Sequence, residues 1–153
     1  MERPVGRLPW LVFIALVLHV LEEWPEFPEW ATRHFGTTSP RFYVLSHIPI
    51  LGLVAWAAYR ASKPGASSSL WFITVILSAL GGNVVFHVVS SVEFGELSPG
   101  LLTALILYVP LVAALLPRFA AILGRRRSVT AVATGLVASA LITATLGFDM
   151  PGL

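Results

Sequence analysis

The chain has 153 residues, 56% of them hydrophobic and only 12% charged, with a net charge of +2 and no cysteine. Soluble domains carry about 25% charged residues, so this composition excludes an ordinary water-exposed domain. The lack of cysteine excludes disulfides, thiolate metal sites and cysteine nucleophiles. The small net charge, with basic residues scattered at segment ends, speaks against a nucleic-acid partner.

Arg3 and Arg7 precede the first apolar run, Leu8 to Leu21, in the manner of a signal peptide. No small-x-small cleavage site follows; Glu22-Glu23-Trp24-Pro25 does, and the segment reads as a retained first helix. Five segments, 8–23, 40–59, 70–92, 99–116 and 129–146, are apolar and near the roughly 20 residues that cross a bilayer. The expected fold is therefore a single all-α domain of about five transmembrane helices.

The stretch 24–39 holds Trp24, Phe27, Trp30 and Phe35 among charges and prolines. Aromatic residues favour the membrane–water interface. Pro28 predicts a short helix over Glu29 to Phe35, stopped by Gly36. It reads either as an interfacial anchor or as a lid over a cavity. Ser39-Pro40 and Ser98-Pro99 predict capped helix starts, and Ser69 and Ser128 are further cap candidates. Pro49 and Pro110 predict kinks in the second and fourth helices. In the fifth, Ala131, Gly135 and Ser139 form a stripe of small residues suited to close helix contact, within the bundle or in a homodimer.

With the N-terminus inside, Arg3, Arg7, Arg60, Lys63, Arg118 and Arg125 to Arg127 all fall on the cytoplasmic side. Only Arg33 and Arg41 fall outside, and the acids other than Glu2 do too. The positive-inside rule predicts N-in, C-out.

Ionisable residues within spans cost about 2.5–3.5 kcal/mol each at mid-membrane on insertion scales, and here they are few and ordered. His19, Glu22 and Glu23 form His-x-x-Glu-Glu at the end of the first helix, where offsets of three and four put both carboxylates on the histidine's side. Asn83 and His87 share a face of the third helix, and His47 stands near the start of the second. At 1.5 Å per residue, His19, His47 and His87 all lie roughly 6–8 Å below the outer boundary. Three histidines and a carboxylate at one depth suit a divalent metal, zinc first and iron second. A metal acidifies bound water and a nearby carboxylate moves the proton. His19, His47, His87 and Glu22 are the candidate ligands; Glu22 and Glu23 are acid–base candidates, with Glu22 favoured as ligand because it lies deeper. Asn83 would orient a ligand or the substrate. His34 reads as solvated, and Ser90 as a serine satisfying its own helix.

These residues resemble the HXXEE family of small bacterial membrane proteins, named for that motif. Asn83 and His87 match its Asn-x-x-x-His. Leu97-Ser98-Pro99-Gly100 matches its Tyr-x-Pro-Gly except for the tyrosine. The resemblance implies a shared site and a bacterial cytoplasmic membrane, and names no reaction. The expectation is a metal-dependent membrane enzyme of hydrolase type, acting on a lipid-like or small apolar substrate at the outer leaflet. The alternatives are a metal-free acid–base isomerase or cyclase, and a small transporter or ligand-binding protein. P-loop and dinucleotide-binding motifs are absent from the sequence.

Overall fold

A computed structural model describes residues 5–36 and 38–145. Arg3 and the predicted end of the last helix at Leu146 lie outside the described residues. The described chain forms six helices: α1 (Leu8–Glu23), α2 (Glu26–Phe35), α3 (Pro40–Ala61), α4 (Ser67–Phe94), α5 (Leu101–Leu123) and α6 (Arg125–Ala144). This is an all-α polytopic membrane protein. Helices α3, α4, α5 and α6 are each long and apolar enough to cross a bilayer, and α1 with α2 passes the same test as a pair bent by 71°.

The bend follows from proline chemistry. Trp24 precedes Pro25 and takes an extended conformation (ψ 134°), because the proline ring disfavours a helical residue before it. The second helix then starts at Glu26, three residues earlier than predicted, with Pro28 in its first turn. Although α1 has only 16 residues, about 24 Å of rise, it runs the height of the bundle. Val5 sits beside Ala61 and Ile122 at one end; Glu23 meets Tyr43 and His87 at the other.

The outward surface is apolar. Leu11, Ile14, Leu18 and Leu21 are exposed along one stripe of α1, while Val12, Ala15, Leu16, His19 and Glu23 are buried along another. The inward stripe thus ends on a histidine and a glutamate. Helix α6 packs along α4 through the small-residue stripe: Ala131, Gly135 and Ser139 are buried. A β-carbon at Gly135 would meet the Val75 carbonyl oxygen, and one at Gly82 would lie 2.6 Å from Ser139 Oγ. The stripe serves contact within the bundle.

Several helix starts differ from expectation. Ser39 does cap α3, accepting from Phe42 N at 3.3 Å. However, α4 begins at Ser67 and α6 at Arg125. Ser128 donates back to the Gly124 carbonyl from inside α6. Pro99-Gly100 forms a turn instead of a first helical turn, with Gly100 at φ +96°, and α5 starts at Leu101. Ser98 is not a cap; its hydroxyl is engaged by His87. Pro110 is accommodated by a π-helical turn, Ala104–Tyr108, that widens α5 just before it. Such turns often mark functional positions.

Candidate metal centre

The inward stripe of α1 brings His19 and Glu23 against α4, where His87 faces them. All three are buried, with 3%, 5% and 0% of their surfaces exposed. The histidine rings meet edge to face at 5.0 Å. Glu23 Oε1 lies 3.5 Å from His19 Nε2 and 3.4 Å from His87 Nε2. Among the described residues these three form a group whose ligand atoms all lie within 4.8 Å of one another, so the site can hold a metal ion.

The surrounding hydrogen bonds orient both imidazole rings. His19 Nδ1 lies 2.8 Å from Thr103 Oγ1, and that hydroxyl spends its one proton on the Gly100 carbonyl at 3.3 Å. An imidazole protonated at Nδ1 fits this arrangement as the donor. His87 Nδ1 lies 2.9 Å from Ser98 Oγ, whose own hydroxyl points to the Pro99 carbonyl at 3.5 Å. In the neutral Nδ1–H tautomer that this arrangement accommodates, Nε2 carries a lone pair free for a ligand. Both Nε2 atoms are buried and have no hydrogen-bond partner among the described residues. On the third ligand, Glu23 Oε2 accepts from Tyr43 Oη at 2.6 Å, which frees Oε1. Three lone-pair atoms converge, each oriented from behind by a hydroxyl. Metal sites use this second layer of hydrogen bonds to fix ligand tautomer and direction.

Gly100 closes the group from the α5 side. A β-carbon there would lie 2.8 Å from Cε1 of both histidines and 2.9 Å from Glu23 Cγ. Only glycine fits, on grounds of space and of its positive φ. From the other side α2 lies over the centre. Phe27, Trp30 and Ala31 are buried, and Phe27 stacks near His87 (6.3 Å) and Tyr43 (5.8 Å). The stretch 24–39 thus carries a helix that covers the centre. Tyr108, in the π turn, lies with its ring 4.7 Å from that of His19, and its hydroxyl is buried without a partner among the described residues.

The remaining predicted residues fall elsewhere. Glu22 does not join the ligand group; its carboxylate accepts from Leu102 N (3.0 Å) and Thr103 N (2.7 Å), the free amides of the first turn of α5. The physical reason is angular. Glu23 lies four residues from His19 and continues the buried stripe, whereas Glu22 lies 100° aside and faces α5. Glu22 therefore anchors the segment that carries Gly100 and Thr103. His47 is outside the group too. Its Nδ1 donates to the Tyr43 carbonyl at 2.7 Å, not to the Leu45 carbonyl that Pro49 leaves free. Asn83 Oδ1 is buried and has no partner among the described residues. Glu23, His47 and Asn83 nevertheless line one cavity of about 310 Å³ between α3, α4 and α6. Ser90 is buried on α4. His34 stands at the surface, with Nε2 2.6 Å from Glu96.

Tyr43, Ser98, Gly100, Thr103 and Tyr108 were missed by sequence reasoning as parts of the site. Thr103 lay three residues beyond the Pro-Gly pair, at the depth of the histidines, and that was a usable signal. Leu97, which stands where the motif has tyrosine, is 81% exposed.

No curated protein and no solved structure matches the chain. Residues 10–115 match the family described as "Protein of unknown function with HXXEE motif". That span holds the His-x-x-Glu-Glu run, Asn83, His87, Gly100 and Tyr108, and the chain belongs to the HXXEE family.

Proposed function

We propose that the chain is a membrane-embedded, metal-dependent enzyme whose ion is held by His19 Nε2, Glu23 Oε1 and His87 Nε2. One observation carries this: two buried imidazole nitrogens and one carboxylate oxygen converge within 4.8 Å of one another, each side chain held from behind by a hydroxyl. Two histidines and a glutamate suit catalytic zinc with an open position, and equally a non-haem iron triad; zinc is the first choice and iron the second. Such an ion supplies Lewis acidity and acidified water. Glu22, occupied with the α5 backbone, is a positioning residue. The unpartnered Tyr108 hydroxyl is the group placed to hold or give a proton beside His19.

The substrate class we infer is lipid-like or small and apolar, because the site lies inside an apolar bundle. Charge supports an outer-leaflet location. Arg7, Arg60, Lys63 and Arg125 to Arg127 lie toward the end opposite Glu23, which the positive-inside rule places in the cytoplasm. Elemental analysis of the purified protein tests the metal. Stoichiometric zinc or iron in the wild type, lost in His87→Ala, is the expected result. A second reading, metal-free acid–base isomerisation, draws on the Tyr43–Glu23 hydrogen bond, which keeps a proton beside the carboxylate. Full activity in metal-free protein would favour it.

A further inference from the structure

The cavity beside Glu23 has a composition that selects a ligand. Its apolar walls include Phe42, Ile50 and Ile142. These three side chains are also exposed on the lipid-facing surface, so the cavity borders the hydrocarbon. Its volume of about 310 Å³ falls at the lower end of the roughly 300–1,000 Å³ that holds small ligands.

The polar wall includes Glu23, Tyr43, Ser46, His47 and Asn83, together with three threonines. Among the described residues that line the cavity there is no lysine or arginine. An anionic headgroup would therefore enter without a counter-charge and beside the Glu23 carboxylate, a costly burial. The wall is instead rich in acceptors. His47 gives its Nδ1 proton to the Tyr43 carbonyl, which leaves Nε2 an acceptor. Ser46 spends its proton on the same carbonyl, which leaves its oxygen an acceptor. The amide of Asn83 also offers N–H donors. A hydroxyl can give its proton to one of these acceptors and accept from the amide.

We propose that this cavity binds the hydroxyl end of a neutral, single-chain apolar alcohol, which enters sideways from the bilayer past Phe42, Ile50 and Ile142. This deepens the proposed function by naming the ligand class, and it rests on that reading for turnover alone. Binding is a property of the cavity and needs no metal.

Photolabelling of the full-length protein in detergent tests it, with dodecan-1-ol carrying a diazirine in its chain as the probe. Expected is labelling concentrated on α3 near Phe42–Ile50 and on α4 near Asn83–Phe86. Unlabelled dodecan-1-ol should displace it at concentrations at least tenfold below those of dodecanoate. Ile50→Trp, which fills the cavity from its lipid side, should abolish the labelling. Asn83→Leu should weaken it about tenfold through one lost hydrogen bond. Labelling spread evenly over the lipid-facing helices, equal displacement by dodecanoate, or unchanged labelling in both variants would overturn the proposal. Metal content of the same wild-type sample is a separate readout, so loss of the metal reading and loss of the alcohol site are distinguishable.

Discussion

Two histidine–glutamate groups sit at the same end of the bundle and are built in opposite ways. In the buried one, His19 and His87 turn their Nδ1 atoms outward to Thr103 and Ser98 and present Nε2 to Glu23. In the surface one, His34 Nε2 sits 2.6 Å from Glu96, with Arg33 also on that carboxylate at 3.4 Å. The second is a satisfied ion-pair cluster that ties α2 to the α4–α5 connection. The first presents two ring nitrogens and a carboxylate oxygen close enough together to hold a metal ion. Residue type and proximity are the same in both. What separates them is the hydroxyl behind each buried imidazole, and burial, which denies the bare nitrogens water.

The largest expected effect is on the buried group. His19→Ala or His87→Ala should abolish stoichiometric metal, because each removes one of three protein ligands. His34→Ala, its surface counterpart, should leave metal content unchanged. Retention of full metal in His87→Ala would erase the distinction drawn between the two groups.

The adjacent glutamates offer a finer cut. Glu23→Gln should lose most of the metal, since an amide is a poor ligand and cannot carry the charge. Glu22→Ala should keep the ligands but cost about 0.5–2 kcal/mol of helix capping at α5, measured by thermal or denaturant unfolding in detergent. Equal metal loss in both variants would mean that Glu22 reaches the ion after all.

Next come the residues that orient the ligands. Thr103→Val removes the acceptor behind His19 and should weaken metal binding roughly 10–100-fold, the usual effect of losing an outer hydrogen bond to a ligand. Gly100→Ala should be at least as damaging, because its β-carbon meets both imidazoles at 2.8 Å. Titration with a competing chelator reads both. Wild-type affinity in Gly100→Ala would show that the turn can move away from the centre.

The smallest effect belongs to the surface group. The hydrogen bond from His34 holds the Glu96 carboxyl below its usual value. A carboxyl lowered in the folded state adds stability that is complete above its unfolded value and is lost as pH falls through the folded one. The attachment of α2 should thus loosen on acidification through that range, and high salt should weaken it further. Proteolysis near the 36–39 connection as a function of pH measures it; Glu96→Gln should remove the pH dependence while metal content stays constant.

Much of this was legible in sequence because the membrane simplifies it. His19 with its two glutamates, and a histidine four residues after Asn83, must point inward, since lipid offers polar groups nothing. Helix spacing could not separate Glu22 from Glu23. That choice depends on where α5 begins, and the Pro99-Gly100 turn shifts its start from 99 to 101. The orienting hydroxyls of Thr103 and Ser98 were hidden for a related reason. Serine and threonine usually satisfy their own helix in membranes, as Ser46, Thr74 and Ser78 do here. Only the packing of α5 against α1 shows which ones serve a histidine. Tyr108 needed the π turn, which no spacing rule for a regular helix supplies.

The central claim is that the buried histidine–glutamate group is a metal centre. Its most direct test is X-ray absorption spectroscopy at the zinc and iron edges on the purified wild type. The account predicts a stoichiometric ion whose nearest shell contains two imidazole nitrogens and a carboxylate oxygen, lost on His87→Ala. Protein that takes up neither metal when zinc or iron is supplied, or an ion whose surroundings are unchanged by His87→Ala, would contradict it.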